Sequence, residues 1–171
     1  RPARWLRDPA NAADYLIVAF DDFLPAAETL AEWRRTHLRG ITDGPAGRPA
    51  NVAVVRVSDV FDEFSGGLVD PTAIRNFVQY ASLAWSGGGS APPPAYLLLL
   101  GDASRDTRDR EKTGVRNLVP TWENGYDWPM AQPENSAQFA TDDFFVRLQG
   151  PGDRIADLVV GRIPAVTPEM A

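Results

Sequence analysis

The chain has no cysteine. Disulfides, thiolate metal sites and a thiol nucleophile are therefore excluded within it, while redox compartment stays open, because a cysteine-free chain suits either side of a membrane. His37 is the only histidine, so neither a His–His metal pair nor a Cys–His dyad can form from these residues. Lys112 is the only lysine, and 16 of the 17 basic residues are arginines, a bias that fits coding preference better than a role. No apolar run approaches the ~18 residues of a membrane helix, which argues against membrane insertion. Neither G-x-G-x-x-G nor G-x-x-x-x-G-K-[ST] occurs, and the cluster Gly87–Gly89 precedes an apolar run rather than joining a strand to a helix, so a nucleotide-phosphate cradle is not expected. The formal net charge of −6 lacks the clustered positive charge of a phosphate-tracking surface and argues against nucleic acid.

What is present reads as one α/β domain. With 171 residues, 44% hydrophobic and 23% charged, the chain is long enough to bury a core without staples. Residues 1–13 carry no clear period and read as an edge segment, with Trp5 and Leu6 packing on the domain edge. Tyr15–Phe20 (YLIVAF) predicts a buried strand, and Pro25–Leu38 a helix with Ala27, Leu30, Ala31 and Leu38 near one face. Asn51–Val57 (NVAVVRV) predicts a second strand, and DEFSGGLVDP a turn-rich connection. Asp70 caps and Pro71 opens the clearest helix, striped by Ile74, Phe77, Val78, Ala81, Ala84 and Trp85. After SGGGSAPPP comes a third strand, Tyr96–Leu100, and Asp157–Val160 predicts a fourth. Two strand–helix–strand units in succession imply a mostly parallel sheet with helices on both faces. Between the last two strands lie some fifty residues of mixed loop, with β-like pieces at Leu118–Thr121 and Phe139–Leu148.

That topology puts Gly101 and Asp102 at the carboxyl edge of the sheet, where open α/β folds place ligand sites. Asp21, Asp22, Asp59 and Arg162 follow other strands at the same edge. Asp21, Asp22 and Asp102 could form an oxygen-rich pocket for Mg²⁺ or Ca²⁺, as in a phosphoryl-accepting domain, but the late-strand lysine such a pocket wants is missing. The plainer reading has these acids capping helices and loops. Asp142 and Asp143 are adjacent, so on a strand they point to opposite faces and do not share one site. His37 reads as a helix-end histidine. Trp122, Tyr126 and Trp128 either form a recognition surface or fold their loop onto the core. The terminal VTPEMA announces a helix, with Thr167 as cap, Pro168 first and Glu169 in the first turn, and leaves it no residues.

In order and spacing, DYLIVAF, FLPAAETLAEWRR, VVRVSDVFDEFSGGLVDPTAIRNFVQYA, YLLLLGDASRD, NLVPTW, ATDDFFVRL and DLVVGRIPAVTPE resemble the gingipain family of cysteine peptidases, whose relatives include type IX secretion sortases. The resemblance runs from Asp14 to Glu169. It implies a caspase-like α/β fold of which residues 14–171 form the first half, an N-terminal subdomain. It also implies endopeptidase chemistry by thiolate attack, with the catalytic His and Cys contributed by polypeptide beyond Ala171. No residue here is catalytic on that reading, and His37 matches no catalytic position. The implied partners are the downstream half of the same polypeptide and, for the parent, peptide or protein substrates. The implied location is extracellular or in the cell envelope. No organic cofactor is expected. A structural calcium ion is the candidate inorganic ligand on this reading, with Asp102, Asp142 and Asp143 the residues to hold it or to anchor loops. Two further readings are a non-catalytic scaffold or binding module of the same fold and a metal-dependent phosphoryl acceptor.

Overall fold

Four short apolar runs build the sheet: β1 (Tyr15–Ala19), β2 (Val52–Arg56), β3 (Tyr96–Leu100) and β6 (Val159–Ile163). They lie in the order β2-β1-β3-β6, every pair parallel. The computed structural model of the chain describes residues 5–43, 47–104, 110, 112, 114–124, 139–150 and 152–171. The runs are continuously apolar because both faces of the sheet are covered. Leu16, Val18, Ala53, Val55, Leu97 and Leu99 face one core, against α2 (Val57–Ser65) and α3 (Pro71–Ala84). Ile17, Ala19, Val52, Val54, Leu98 and Leu100 face the other, against Phe23 and the alanines Ala27 and Ala31 of α1 (Leu24–Thr36). The path from β1 to β2 runs one way across the sheet and the path from β2 to β3 runs back, so their helices lie on opposite faces, as right-handed crossovers require.

The α/β sheet with helices on both faces is thus as expected, and so is the cap of α3, where the Asp70 carboxylate accepts from the Thr72 amide at 2.8 Å. Several boundaries differ. The stretch expected as a turn-rich connection begins with the second half of α2, Asp62 to Ser65; the helix starts directly after β2 and ends at Gly66 in the left-handed conformation, with the Gly67 amide bonded to Phe61 O at 2.9 Å. The fourth strand runs Val159–Ile163 rather than Asp157–Val160, because Asp157 serves the preceding loop: its carboxylate accepts from Leu148 N and Gln149 Nε2. Leu118–Thr121 is no strand, since the Leu118 and Val119 amides both turn onto Asp102 O. The antiparallel pair is instead β4 (Trp122–Asn124) with β5 (Phe139–Thr141), followed by a 3-10 turn at Asp143–Val146. Thr167–Met170 forms a hydrogen-bonded turn rather than a helix.

The edge segment is well fastened. Leu6 is buried while Trp5 is 80% exposed. Leu6 N and Arg7 N donate to the Glu63 carboxylate, Trp85 Nε1 donates to Leu6 O at 2.8 Å, and the Arg7 guanidinium lies 4.2 Å from the Phe64 ring centroid. At the amino edge of the sheet, buried Asp14 receives both Nη atoms of Arg48 (2.8 and 2.7 Å) and the Asn51 amide (2.7 Å). Burial pushes its carboxyl up, but the Arg48 and Asn51 hydrogen bonds and the arginine charge outweigh that and hold it below the usual carboxylate value.

Candidate functional site at the carboxyl edge

The chain leaves β1 toward β2 and leaves β3 toward β6, so the two central strands end at a reversal of direction, where open α/β sheets form a crevice. Phe20 N bonds Leu100 O at 2.9 Å and keeps these two strand ends together. Gly101 then turns with φ +145°, and a Cβ placed there would lie 2.8 Å from Val119 Cγ2 and 3.4 Å from Phe20 Cβ. Glycine is needed both for the conformation and for the close approach of the 118–119 segment. Asp102 fastens through its main chain. Its amide donates to Ala165 O at 2.9 Å and its carbonyl accepts from Leu118 N and Val119 N.

The centre of this edge is the Arg162 guanidinium, 13% exposed. Nε and Nη2 form a bidentate pair with Asp142, each at 2.8 Å. Nη1 donates to Gly101 O and Val119 O at 2.7 Å, and Nη2 also to Pro120 O at 3.2 Å. Thr121 Oγ1 donates to Asp142 Oδ1 at 2.9 Å. One planar cation thus binds the turn after β3, the 119–121 segment, the residue after β5 and β6, using the fixed fork of donors that distinguishes arginine from lysine. Four of the quoted stretches (YLLLLGDASRD, NLVPTW, ATDDFFVRL and DLVVGRIPAVTPE) meet at this one side chain.

The other candidate residues have separate duties. Asp143 pairs with Arg147 at 2.9 Å, on its own 3-10 turn. Asp21 accepts from Ser58 Oγ at 2.6 Å and so holds the first turn of α2 from the end of β1, while Asp22 is exposed and makes no capping bond. Asp59 is exposed on α2, where burial and then the neighbouring acids Asp21, Asp62 and Glu63 raise its carboxyl above the usual value against the lowering effect of Arg56. His37 ends α1 at the opposite, amino edge, stacked on Trp33 with centroids 4.6 Å apart. Trp122 stacks on Phe144 at 4.0 Å, so it folds onto the core, and Arg75 and Gln79 of α3 bind the carbonyls of Arg147 and Leu148 beside it. Tyr126, Trp128, Arg105 and Asp106 lie outside the described residues.

A calcium site at Asp102, Asp142 and Asp143 does not fit this arrangement. Both oxygens of Asp142 are occupied by Arg162, Asp143 faces Arg147, and the described residues contain no group of three His, Cys, Asp or Glu side chains suited to a metal ion. Asp21, committed to Ser58, likewise does not join Asp102 in a phosphoryl-acceptor pocket. The arrangement can hold loop shape, and no described nucleophile is paired with an imidazole. Sequence reasoning missed the Arg162–Asp142 pair, whose only sequence signal was an arginine just past the expected fourth strand and two acids inside a β-like piece.

The model of peptidase family C25 matches residues 8–171. No curated protein matches the sequence. The crystal structure of dimeric latent PorU from Porphyromonas gingivalis is similar, with a TM-score of 0.69 and 28% identity over 94% of this chain. The chain spans 15% of that PorU chain.

Proposed function

This chain belongs to peptidase family C25, the gingipain family, and on that premise we propose that residues 14–171 are the N-terminal subdomain of a gingipain-like cysteine endopeptidase whose thiol and imidazole are supplied by polypeptide beyond Ala171. The outer edge of β6, unpaired among the described residues, is the observation that carries this reading. Val159 N donates to Ala95 O and Gly101 N to Ile163 O, so residues 159, 161 and 163 face β3. The main-chain groups of Val160 and Arg162 then point away from the sheet. Val159 is 64% exposed, and the flanking Ile155 and Val166 are 76% and 49% exposed. Parallel sheets are normally covered on both faces, and an exposed apolar strand at their edge invites another strand. The downstream half is the partner that would extend the sheet there.

In this role the subdomain buttresses the sheet. Its carboxyl-edge loops, gathered by Arg162, form one wall of a cleft for a peptide or protein substrate, and residues 5–13 brace α2 and α3 from outside. An extracellular or cell-envelope location accords with family membership and with similarity to PorU. Assay of the longer parent polypeptide tests the proposal. Peptide hydrolysis is expected from the parent, abolished by thiol alkylation or by replacing one downstream cysteine with alanine, and absent from the 171-residue chain alone. Hydrolysis by the isolated chain, or parental activity that survives loss of every cysteine, refutes it.

A further inference from the structure

β6 is covered on one face only. Val160 packs into the core shared by α2 and α3, and Arg162 closes the same side through Asp142. Val159, Gly161 and Ile163 stand in register with Tyr96, Leu98 and Leu100 and share the α1 side of the sheet with them. There Leu98 and Leu100 are buried, but the cover ends at β3. Val159 and Gly161 are exposed, Ile163 is half-buried, and no described atom lies within 4 Å of a Cβ built on Gly161. α1 lies over β1 and β2. β6 is two strands beyond β1, about 10 Å at the usual strand spacing, which is the distance between helices packed side by side. The uncovered strip is thus one helix wide, on a parallel sheet of the kind that is covered on both faces.

The chain turns onto this strip after β6. Ala165 is buried in the α1-side core, and Ala171 packs against it. Between them Met170 N bonds Thr167 O and Ala171 N bonds Pro168 O, successive i→i+3 bonds of the kind found at helix starts. Thr167, Pro168 and Glu169 supply a cap residue, a first-position proline and a first-turn acid. We infer that the α1-side face of β6, centred on Val159 and Gly161, seats an amphipathic helix that starts at the Thr167–Met170 turn and runs beside α1. Its apolar stripe covers Val159 and Ile163, with one side chain in the open space at Gly161. Strand addition at the outer edge would use the main chain of Val160 and Arg162 instead. A right-handed crossover to a parallel strand beside β6 passes over the α2–α3 side, as the path from β2 to β3 does, so this helix is a covering element and any added strand comes from later polypeptide. The inference rests on the proposed function only in taking polypeptide to follow Ala171, and it concerns which face is covered, not which groups react.

The test uses the parent polypeptide carrying the photo-crosslinker p-benzoylphenylalanine in place of Val159, with the same substitution at the exposed Leu83 of α3 as control. After irradiation and digestion, adducts from position 159 are expected on residues three or four apart, within about 14 residues after Glu169, and none there from position 83. In a second measurement Gly161→Trp is expected to lower the melting temperature of the parent by roughly 2–12 °C, because the new ring meets the seated helix, while Leu83→Trp shifts it by less than about 2 °C. Adducts on alternate residues, adducts between two copies of the parent, adducts confined to more distant segments, or a Gly161→Trp melt no different from that of Leu83→Trp overturns the inference. A parent that gives the expected adducts and hydrolyses no peptide counts against the proposed function alone.

Discussion

Replacing Arg162 by methionine keeps the side-chain length and removes the charge and every donor at the carboxyl edge. Five hydrogen bonds go with it: two to Asp142 and one each to the carbonyls of Gly101, Val119 and Pro120. Asp142, 21% exposed, would keep only the Thr121 hydroxyl. Three main-chain carbonyls would lose their donor in the same space. Removing one partner of a largely buried ion pair costs about 3–5 kcal/mol, because the charge left behind stays desolvated without compensation. At about 2–4 °C per kcal/mol for a chain of this size, the melting temperature should fall by roughly 6–20 °C.

The assay is urea unfolding followed by circular dichroism and by tryptophan fluorescence, with Arg162→Met, Asp142→Leu and the double variant forming a cycle. Because the double variant removes both charges, its cost should fall short of the summed single costs by about 2–3 kcal/mol. Arg162→Lys should lie in between, since one ammonium cannot reproduce the planar fork over Asp142 and three carbonyls. A loss below about 1 kcal/mol for Arg162→Met, together with additive single costs, would refute the view that this side chain organises the edge.

Gly101→Ala should cost about 2–5 kcal/mol, the sum of a φ near +145° for a residue with a side chain and a Cβ 2.8 Å from the fully buried Val119, and a thermal melt unchanged from the parent sequence would contradict the close approach. Asp14→Asn should lose about 1–2 kcal/mol near pH 6, with Arg48 44% exposed on one side of the pair. Since the folded Asp14 carboxyl lies below its ordinary value, its contribution is complete above that value and disappears as pH falls through the folded one. The stability gap between the unaltered chain and the Asp14→Asn variant should therefore close on acidification below about pH 4, and a gap that widens there would reverse the sign.

The sheet is legible in the sequence because its strands carry the signature of burial on both faces: YLIVA, VAVVR and YLLLL have no polar residue on either side of the pleat until Arg56. α3 is legible because its stripe of Ile74, Phe77, Val78 and Ala81 is long and its Asp70-Pro71 start is explicit. α2 is hidden although Val57, Val60, Phe61 and Phe64 have helical spacing, because its first residues read equally well as the end of a β-branched strand and Gly66-Gly67 as a turn. The expected start of β6 falls two residues early because Asp157 looks like a strand boundary and in fact anchors a loop. Local pattern determines elements. It carries little information on where a side chain of the next element will find its partner.

The carboxyl edge shows where that limit lies. Asp142 invites a reading as metal ligand because its sequence neighbourhood contains acids and no cation to oppose them until Arg147. Its partner, Arg162, is twenty positions away on a strand whose register with β3 decides the contact. Once β6 pairs with β3, Leu99 lies opposite Arg162, and the guanidinium reaches the carbonyl of Gly101 two residues further on. Four of the seven quoted stretches that resemble the gingipain family are therefore sides of one hydrogen-bonded knot. A sequence pattern that specifies such a knot specifies loop shape at the site edge, which is why it can persist in a chain that carries neither cysteine nor a histidine at that edge. Membership of peptidase family C25 and the lack of cysteine in this chain are then compatible for a physical reason: residues that hold loop shape at a sheet edge and residues that react need not be contributed by the same stretch of chain.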